Sequence, residues 1–198
     1  SQTMSSPYCY EYPRIAVTDD PAAFGWIDGA LRVLLIRRKH DPFAGLWALP
    51  GGFLDIDEPD EQGARRELRE ETGLVVPGPI APIGFFAKPG RDPRGRTVSL
   101  AFAAVLPHGE HAIRGGDDAA EAAWRSLDEP LDLAFDHAEI LAVARSWLRR
   151  GLLDGSLGAT LLAAPIAVAD VRAMFRTLEI PARNARGWAA RWSKVDNL

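Results

Sequence analysis

Cysteine is almost missing from this chain. Cys9 is alone among 198 residues, so no internal disulfide can form, and no combination of it with the four histidines has zinc-finger spacing. That scarcity points to a reducing compartment, most simply the cytoplasm. Long apolar runs are missing too. The longest, such as Leu161 to Val168, fall well short of the ~20 residues a membrane helix needs, and the N-terminus has no basic-then-apolar leader pattern. A surplus of positive charge is also absent: the net charge is -4 and the pI about 5.6, so nucleic acid is not the expected partner. No internal repeat or low-complexity tract interrupts the chain. What remains is 47% hydrophobic and 25% charged, the composition of one globular domain or one domain plus an appendage, large enough to bury its core without a staple.

Residues 1–12 carry no periodicity and read as a disordered or arm-like start. Ile15 to Val17, Leu31 to Ile36, Ile83 to Lys88, Val98 to Val105 and Ala120 to Trp124 are short β-rich runs bounded by turn residues. A helix is expected from about Pro59 to Thr72 and another from His137 to Arg150, with Asp136 as the cap of the second. Strands in the middle with helices outside give an α/β or α+β sandwich. The texture changes at Gly151, where Gly151, Gly155 and Gly158 punctuate a linker-like stretch. Beyond it, Val171, Met174, Phe175 and Leu178 fall at helical spacing, and a last helix is expected over Arg183 to Trp192. Residues 151–198 hold six Lys/Arg against four Asp/Glu, so this tail is mildly basic. Its Val171, Met174, Phe175, Trp188 and Trp192 would expose a large apolar patch if isolated, so they are expected to cover the main domain or a second subunit.

The chemistry concentrates between Gly52 and Leu74. Acidic residues and Pro59 start the helix, and Gly73 suits the left-handed position past its end. Glu67, Glu70 and Glu71 stand at i, i+3 and i+4, so three carboxylates share one face within a turn. The like-charged Glu67–Glu71 pair costs a few tenths of a kcal/mol, and a third carboxylate beside it makes sense only with a cation. A hard divalent ion such as Mg²⁺, which takes oxygen ligands and bridges carboxylates to phosphates, fits that demand. An ordinary salt-bridged helix face is the alternative, and Arg66 with Glu70 supplies one such pair.

The whole pattern, Gly52-x5-Glu58-x7-Arg66-Glu67-Leu68-x-Glu70-Glu71-x-Gly73-Leu74, fills the signature of the Nudix hydrolases, and the chain resembles that family over roughly residues 13–150. Leu35 to Arg38, Gly45 to Gly52 and Ala119 to Asp128 extend the likeness. The resemblance implies a three-layer α/β/α sandwich with a mixed central sheet, here followed by a C-terminal helical extension over 151–198. It implies hydrolysis of the pyrophosphate of a nucleoside diphosphate derivative with Mg²⁺ or Mn²⁺. Carried over by position, Glu67, Glu70 and Glu71 are metal ligands with the carbonyl of Gly51, Gly52 and Glu58 support the site, and Arg66 orients Glu70 or another carboxylate. The general base is either Glu121, in a turn shared with Asp117 and Asp118, or Glu67 itself.

Arg91, Arg94 and Arg96, in a Pro- and Gly-constrained loop, can present guanidinium groups to phosphate or ribose oxygens. That loop is similar to its counterpart in family members that handle ADP-ribose, which makes ADP-ribose the expected substrate. Phe85, Phe86 or Trp47 could stack on the adenine. His40, His108, His111 and His137 lack metal-ligand spacing, and His137 is assigned a structural role. The tail also resembles, weakly, the winged-helix end of Nudix-related regulators of NAD metabolism, although a chain with Gly187, Trp188 and Trp192 in its last helix is poorly suited to reading a groove. An enzyme, expected to be a homodimer, is the leading reading and a regulator the second.

Overall fold

The structure, a computed structural model, describes residues 9–116 and 119–193, so most of the expected N-terminal arm and the Asp117–Asp118 turn lie outside the described residues. Among the described residues seven strands form one sheet: β1 (Ala16–Ile27), β2 (Ala30–Arg38), β3 (Trp47–Ala48), β4 (Gly52–Phe53), β5 (Ala81–Phe86), β6 (Thr97–Val105) and β7 (Ala119–Ser126). Helix α1 (Asp60–Thr72) covers one face, and α2 (His137–Asp154), α3 (Val168–Thr177) and α4 (Ala185–Trp192) belong to the other. The sheet runs β3-β2-β1-β6-β5, with β4 added to β1 and β7 to β2. Among these described strands only β1 and β6 pair in parallel, which makes the sheet mixed, as expected of the fold class.

The first strand is far longer than Ile15 to Val17. Thr18-Asp-Asp-Pro21 looks like a turn, yet Asp19 and Asp20 are buried and Ala16 to Phe24 pair continuously with Thr97 to Val105. Ala16 donates its N–H to the Arg96 carbonyl and Phe24 accepts from the Leu106 N–H, so even-numbered residues of β1 turn their main-chain groups toward β6. Odd-numbered ones turn the other way, where the Leu54 N–H reaches the Val17 carbonyl. Pro21 therefore points its nitrogen at a stretch of β1 between the β4 pairs (Thr18, Asp19) and the β2 pairs (Phe24 to Ile27), where no ladder bond is lost.

That unpaired stretch is a split in the sheet, and it positions the site. The chain from Trp47 to Phe53 crosses the split, resting on β2 through β3 and on β1 through β4. Alternation along β1 then sends odd side chains such as Ala23 to the core under α1, with Ala64 and Leu68, and even ones such as Ala22, Phe24 and Trp26 to the core under α2, with Ile140, Ala144 and Leu148.

Helix α1 has Asp60 and Glu61 in its first turn and Arg69 in its last, in keeping with the helix dipole, and Gly73 closes it with φ 72° and an N–H bond to the Arg69 carbonyl. Pro59 is its N-cap rather than its first residue. Helix α2 passes through Gly151 to Asp154 before Gly155 ends it at φ 85°, so the linker-like glycines belong partly to the helix. Asp136 occupies the N-cap position of α2 without a side-chain capping bond, because its carboxylate is engaged by Arg91 instead. The last helix is preceded by a 3₁₀ turn over Ala182–Asn184.

The tail shares the core of the main domain. Val171, Met174 and Phe175 are fully buried in the same apolar cluster as Phe24 and Leu148, Trp188 donates its indole N–H to the Leu152 carbonyl, and the Phe175 and Trp188 rings meet edge to face at 6.0 Å. Truncating Phe175 to Ala is expected to cost about 3–5 kcal/mol, read as one cooperative urea transition of the whole chain at a lower midpoint. A second, separate transition for the tail would contradict the shared core.

Candidate functional site

Most of the residues that the sequence singles out, though not Glu58, Arg96 or Glu121, line a cleft of about 860 Å³ beside the split in the sheet. One wall is α1, which presents Arg66, Glu67, Glu70 and Glu71; the Gly51–Gly52 turn, Asp20 and His137 line it as well, with Arg91, Asp92, Arg94 and Phe135. No helix among the described residues is long and apolar enough to cross a membrane.

Arg66 is the hub of the acidic wall. Its guanidinium donates to Glu58 at 2.6 Å, Glu67 at 2.6 Å, Glu70 at 3.2 Å and the Phe53 carbonyl at 3.1 Å. These partners raise its pKa further, so it stays charged, while Arg66 and the Asp55 N–H hold Glu58 below the usual carboxylate range. Glu67 is buried, and burial pushes its pKa up despite Arg66. Glu71 accepts the Gly51 N–H at 2.9 Å, tying α1 to the glycine turn. A side chain at Gly52 would overlap the Glu67 carboxylate, and one at Gly51 would overlap the Asp19 carbonyl and the Asp20 carboxylate. Only glycine lets the carboxylates lie directly against the main chain here.

Among the described residues no group of three or more His, Cys, Asp or Glu side chains is arranged to hold a metal ion by itself. The donors are all oxygens, on an open cleft, against a cradle that a Cβ would fill, and this chemistry fits a hard cation that keeps waters and shares ligands with phosphate. Glu67, Glu70, Glu71 and the Gly51 carbonyl are the groups available to hold one.

The remaining expected residues are distributed less simply. Arg91 is buried and bidentate to Asp136 at 2.6 and 2.8 Å; burial works against its charge, and Asp136 more than offsets it, leaving the pKa raised. Arg94 is fixed by Asp92 at 2.8 Å, and its guanidinium lies over the rings of Phe53 and Phe135 at 5.2 and 5.6 Å. Asp92, although buried, is held below its ordinary range by Arg94. Arg96 donates to the Ala87 carbonyl and does not line the cleft. Glu121 is exposed on β7, opposite Arg37, and does not line the cleft either. Phe85 is exposed on the edge strand, while Trp47 and Phe86 pack on the core; the aromatic rings at the cleft are Phe53 and Phe135.

Sequence reasoning missed Asp19, Asp20 and Phe135. Asp20 accepts from Thr18 Oγ1 at 3.0 Å and from Ser99 Oγ, and faces His137 Nε2 at 3.5 Å. Burial lowers the His137 pKa although Asp20 and Asp136 oppose this, so the imidazole is neutral. Asp19 is wholly buried against α1, neither carboxylate oxygen has a hydrogen-bond partner, and burial first, then Asp20, Glu58, Asp60 and Glu67, push its pKa up to about 7. Phe135, with φ 55°, is a bulky residue in the left-handed region, and the Arg38 guanidinium lies over its ring at 4.8 Å. The Asp-Asp pair ahead of Pro21 was the available signal for the first two, and it has the chemistry of a turn; Phe135 carried none.

These features have counterparts in known proteins. The NUDIX domain model matches residues 20–144. The chain is 40% identical over 138 residues to an ADP-ribose pyrophosphatase of Methanocaldococcus jannaschii, covering 70% of this chain and 76% of that one. The NUDIX domain of Shewanella oneidensis NrtR, solved with ADP ribose, is 34% identical with a TM-score of 0.64 and covers 69% of this chain and 90% of its own. The longer Shewanella oneidensis NrtR solved with a 27mer DNA is 28% identical with a TM-score of 0.68, covering 91% and 83%. With the glutamate helix, the glycine turn and the split mixed sheet all in place, the chain belongs to the NUDIX domain family.

Proposed function

We propose that the protein is a Nudix pyrophosphohydrolase that cuts the diphosphate of ADP-ribose, giving AMP and ribose 5-phosphate, with Mg²⁺ or Mn²⁺. The observation that carries this reading is the cleft in which Glu67, Glu70 and Glu71 meet the Gly51–Gly52 turn, in a chain 40% identical to an archaeal ADP-ribose pyrophosphatase. A bound divalent ion supplies charge neutralisation at the phosphoryl oxygens and an acidified water. The chain's own residues do the rest. Arg66 holds Glu67 and Glu70 in place while Glu58 anchors Arg66 from behind. Of the two candidates for taking the proton of the attacking water, Glu67 lines the cleft and Glu121 does not, which favours Glu67. Arg94, more exposed than Arg91, is the loop arginine left to meet a phosphate or ribose oxygen, and Arg91 steadies its loop against α2.

The same reading takes residues 13–150 as the catalytic domain, 151–198 as a helical extension, the cytoplasm as the compartment and a homodimer as the working form. The test is a panel of ADP-ribose, NADH, diadenosine polyphosphates and sugar nucleotides with each metal, following AMP release and, for mass in solution, light scattering. ADP-ribose is expected to give the highest kcat/KM; a sugar nucleotide ahead of it would reject the substrate assignment.

A second reading, an ADP-ribose-responsive regulator, is favoured by one observation. The DNA-bound NrtR structure covers 91% of this chain, so its likeness reaches into the tail, whose Arg172, Arg176, Arg183, Arg186 and Arg191 are all exposed. Against it, α4 spends Ala185, Ala189 and Trp188 on the core. Tight ADP-ribose binding without turnover, together with salt-sensitive DNA binding, is the outcome that would select it.

A further inference from the structure

His137 was assigned a structural role by sequence, but its bonds reach the glycine turn. Trp47 and Leu133 form a parallel bridge, and the Ala134 N–H donates to the Trp47 carbonyl at 2.8 Å, so the segment before α2 pairs with β3. The chain then turns into α2 and no main-chain carbonyl is there for the next donor, the Leu49 N–H. The imidazole takes that place: Leu49 N–H donates to His137 Nδ1 at 3.0 Å, buried. Nδ1 is therefore the acceptor, and the ring proton sits on Nε2, facing Asp20.

Main-chain accounting between β3 and β4 gives this bond its weight. Pro50 has no N–H, so the crossing segment offers only the Leu49 and Gly51 donors before β4 begins. One goes to His137 and the other to Glu71. The Asp20 side chain, fixed by Thr18 and Ser99, lies directly beneath Gly51.

We propose that His137 is a positioning residue for the catalytic cation: through Nδ1 it suspends the Leu49-Pro50-Gly51 crossing, and so sets where the Gly51 carbonyl and the Glu71 carboxylate stand. This rests on the pyrophosphohydrolase reading above. It acts through Leu49 and Gly51, not on the substrate, and it needs an acceptor at the Nδ1 position rather than an imidazole as such.

The test compares His137→Asn, whose Oδ1 can occupy the Nδ1 position, with His137→Gln, whose longer amide reaches the Nε2 position. Mn²⁺ binding to the substrate-free protein is measured by electron paramagnetic resonance, amide hydrogen exchange at Leu49 and Gly51 by NMR, and kcat and KM with ADP-ribose. Expected are Mn²⁺ affinity and both amide protections close to wild type in Asn, but Mn²⁺ binding about tenfold weaker and both amides exchanging faster in Gln, with KM moving less than kcat. Equal effects of Asn and Gln, a Gln variant that binds Mn²⁺ like wild type, or loss confined to KM would each overturn the proposal. A wild-type protein that binds Mn²⁺ but leaves ADP-ribose intact would instead reject the hydrolase reading, while the Mn²⁺ and exchange comparison still decides the role of His137.

Discussion

Glu71→Gln is expected to lower kcat for ADP-ribose by about 10²–10³-fold while leaving the fold as stable as before or slightly more so. The loss is the scale seen when one preorganised charge-stabilising group is removed from a site. Gln keeps the shape of Glu71, and its amide oxygen can still accept the Gly51 N–H now held at 2.9 Å, so the glycine turn has no reason to move. What disappears is a negative charge one turn from Glu67, and removing a like-charged i, i+4 pair returns a few tenths of a kcal/mol. Activity and stability moving in opposite directions mark a group kept for chemistry. Glu70→Gln should act in the same direction, although Glu70 is more exposed and Arg66 would retain its bonds to Glu58 and Glu67. The measurement is initial-rate AMP release with saturating Mg²⁺ alongside thermal melting; a Glu71→Gln protein within threefold of wild type in kcat would remove Glu71 from the ligand set.

Asp19→Asn is expected to stabilise the protein above pH 7 and to flatten its pH dependence between about pH 4 and pH 7. The carboxyl of Asp19 has an ordinary pKa of 3.8 and one of about 7 when folded, because it is buried with no partner and faces other acids. The folded state thus holds this proton more tightly than the unfolded state. The stability linked to it is complete below about pH 4 and is lost as the pH rises through about 7. A displacement of this size corresponds to roughly 4 kcal/mol as a ceiling, or a melting temperature higher by up to about 15 °C in a chain of this length. Asn carries no charge at any pH, so above pH 7 it escapes that loss, while near pH 4 it meets the same lack of partners as the protonated acid. Melting curves in EDTA from pH 4 to pH 9 check this, and parallel curves for the two proteins would show that Asp19 does not titrate in that interval.

Much of the site was legible because its signals are local. The caps of α1, the three glutamates and the glycine pair lie within twenty-odd residues, and helix periodicity alone brings the three glutamates to one face. The buried network under the turn was not legible. Asp20 finds Ser99 and His137, and Asp136 abandons its capping role for Arg91, only once distant segments are side by side. The same cause hid most of β1: its Asp-Asp-Pro stretch has turn chemistry, and only the parallel partner and the gap in the ladder make it a strand. The arginine loop shows the converse. Its composition suggested three guanidiniums for substrate, whereas two of them are paired with the chain's own aspartates.

The parallel pairing of β1 with β6 also constrains how the molecule is made. The central strand is made before the other six strands of the sheet, but its longest partner is Thr97–Val105, and one of its two cores is finished only by Val171 to Ala189. A chain whose middle strand waits for such remote neighbours folds slowly for its size, because loop closure precedes the reward. Until the last helices emerge, Phe24 and Trp26 lack part of their cover, and the half-made protein exposes apolar surface open to aggregation.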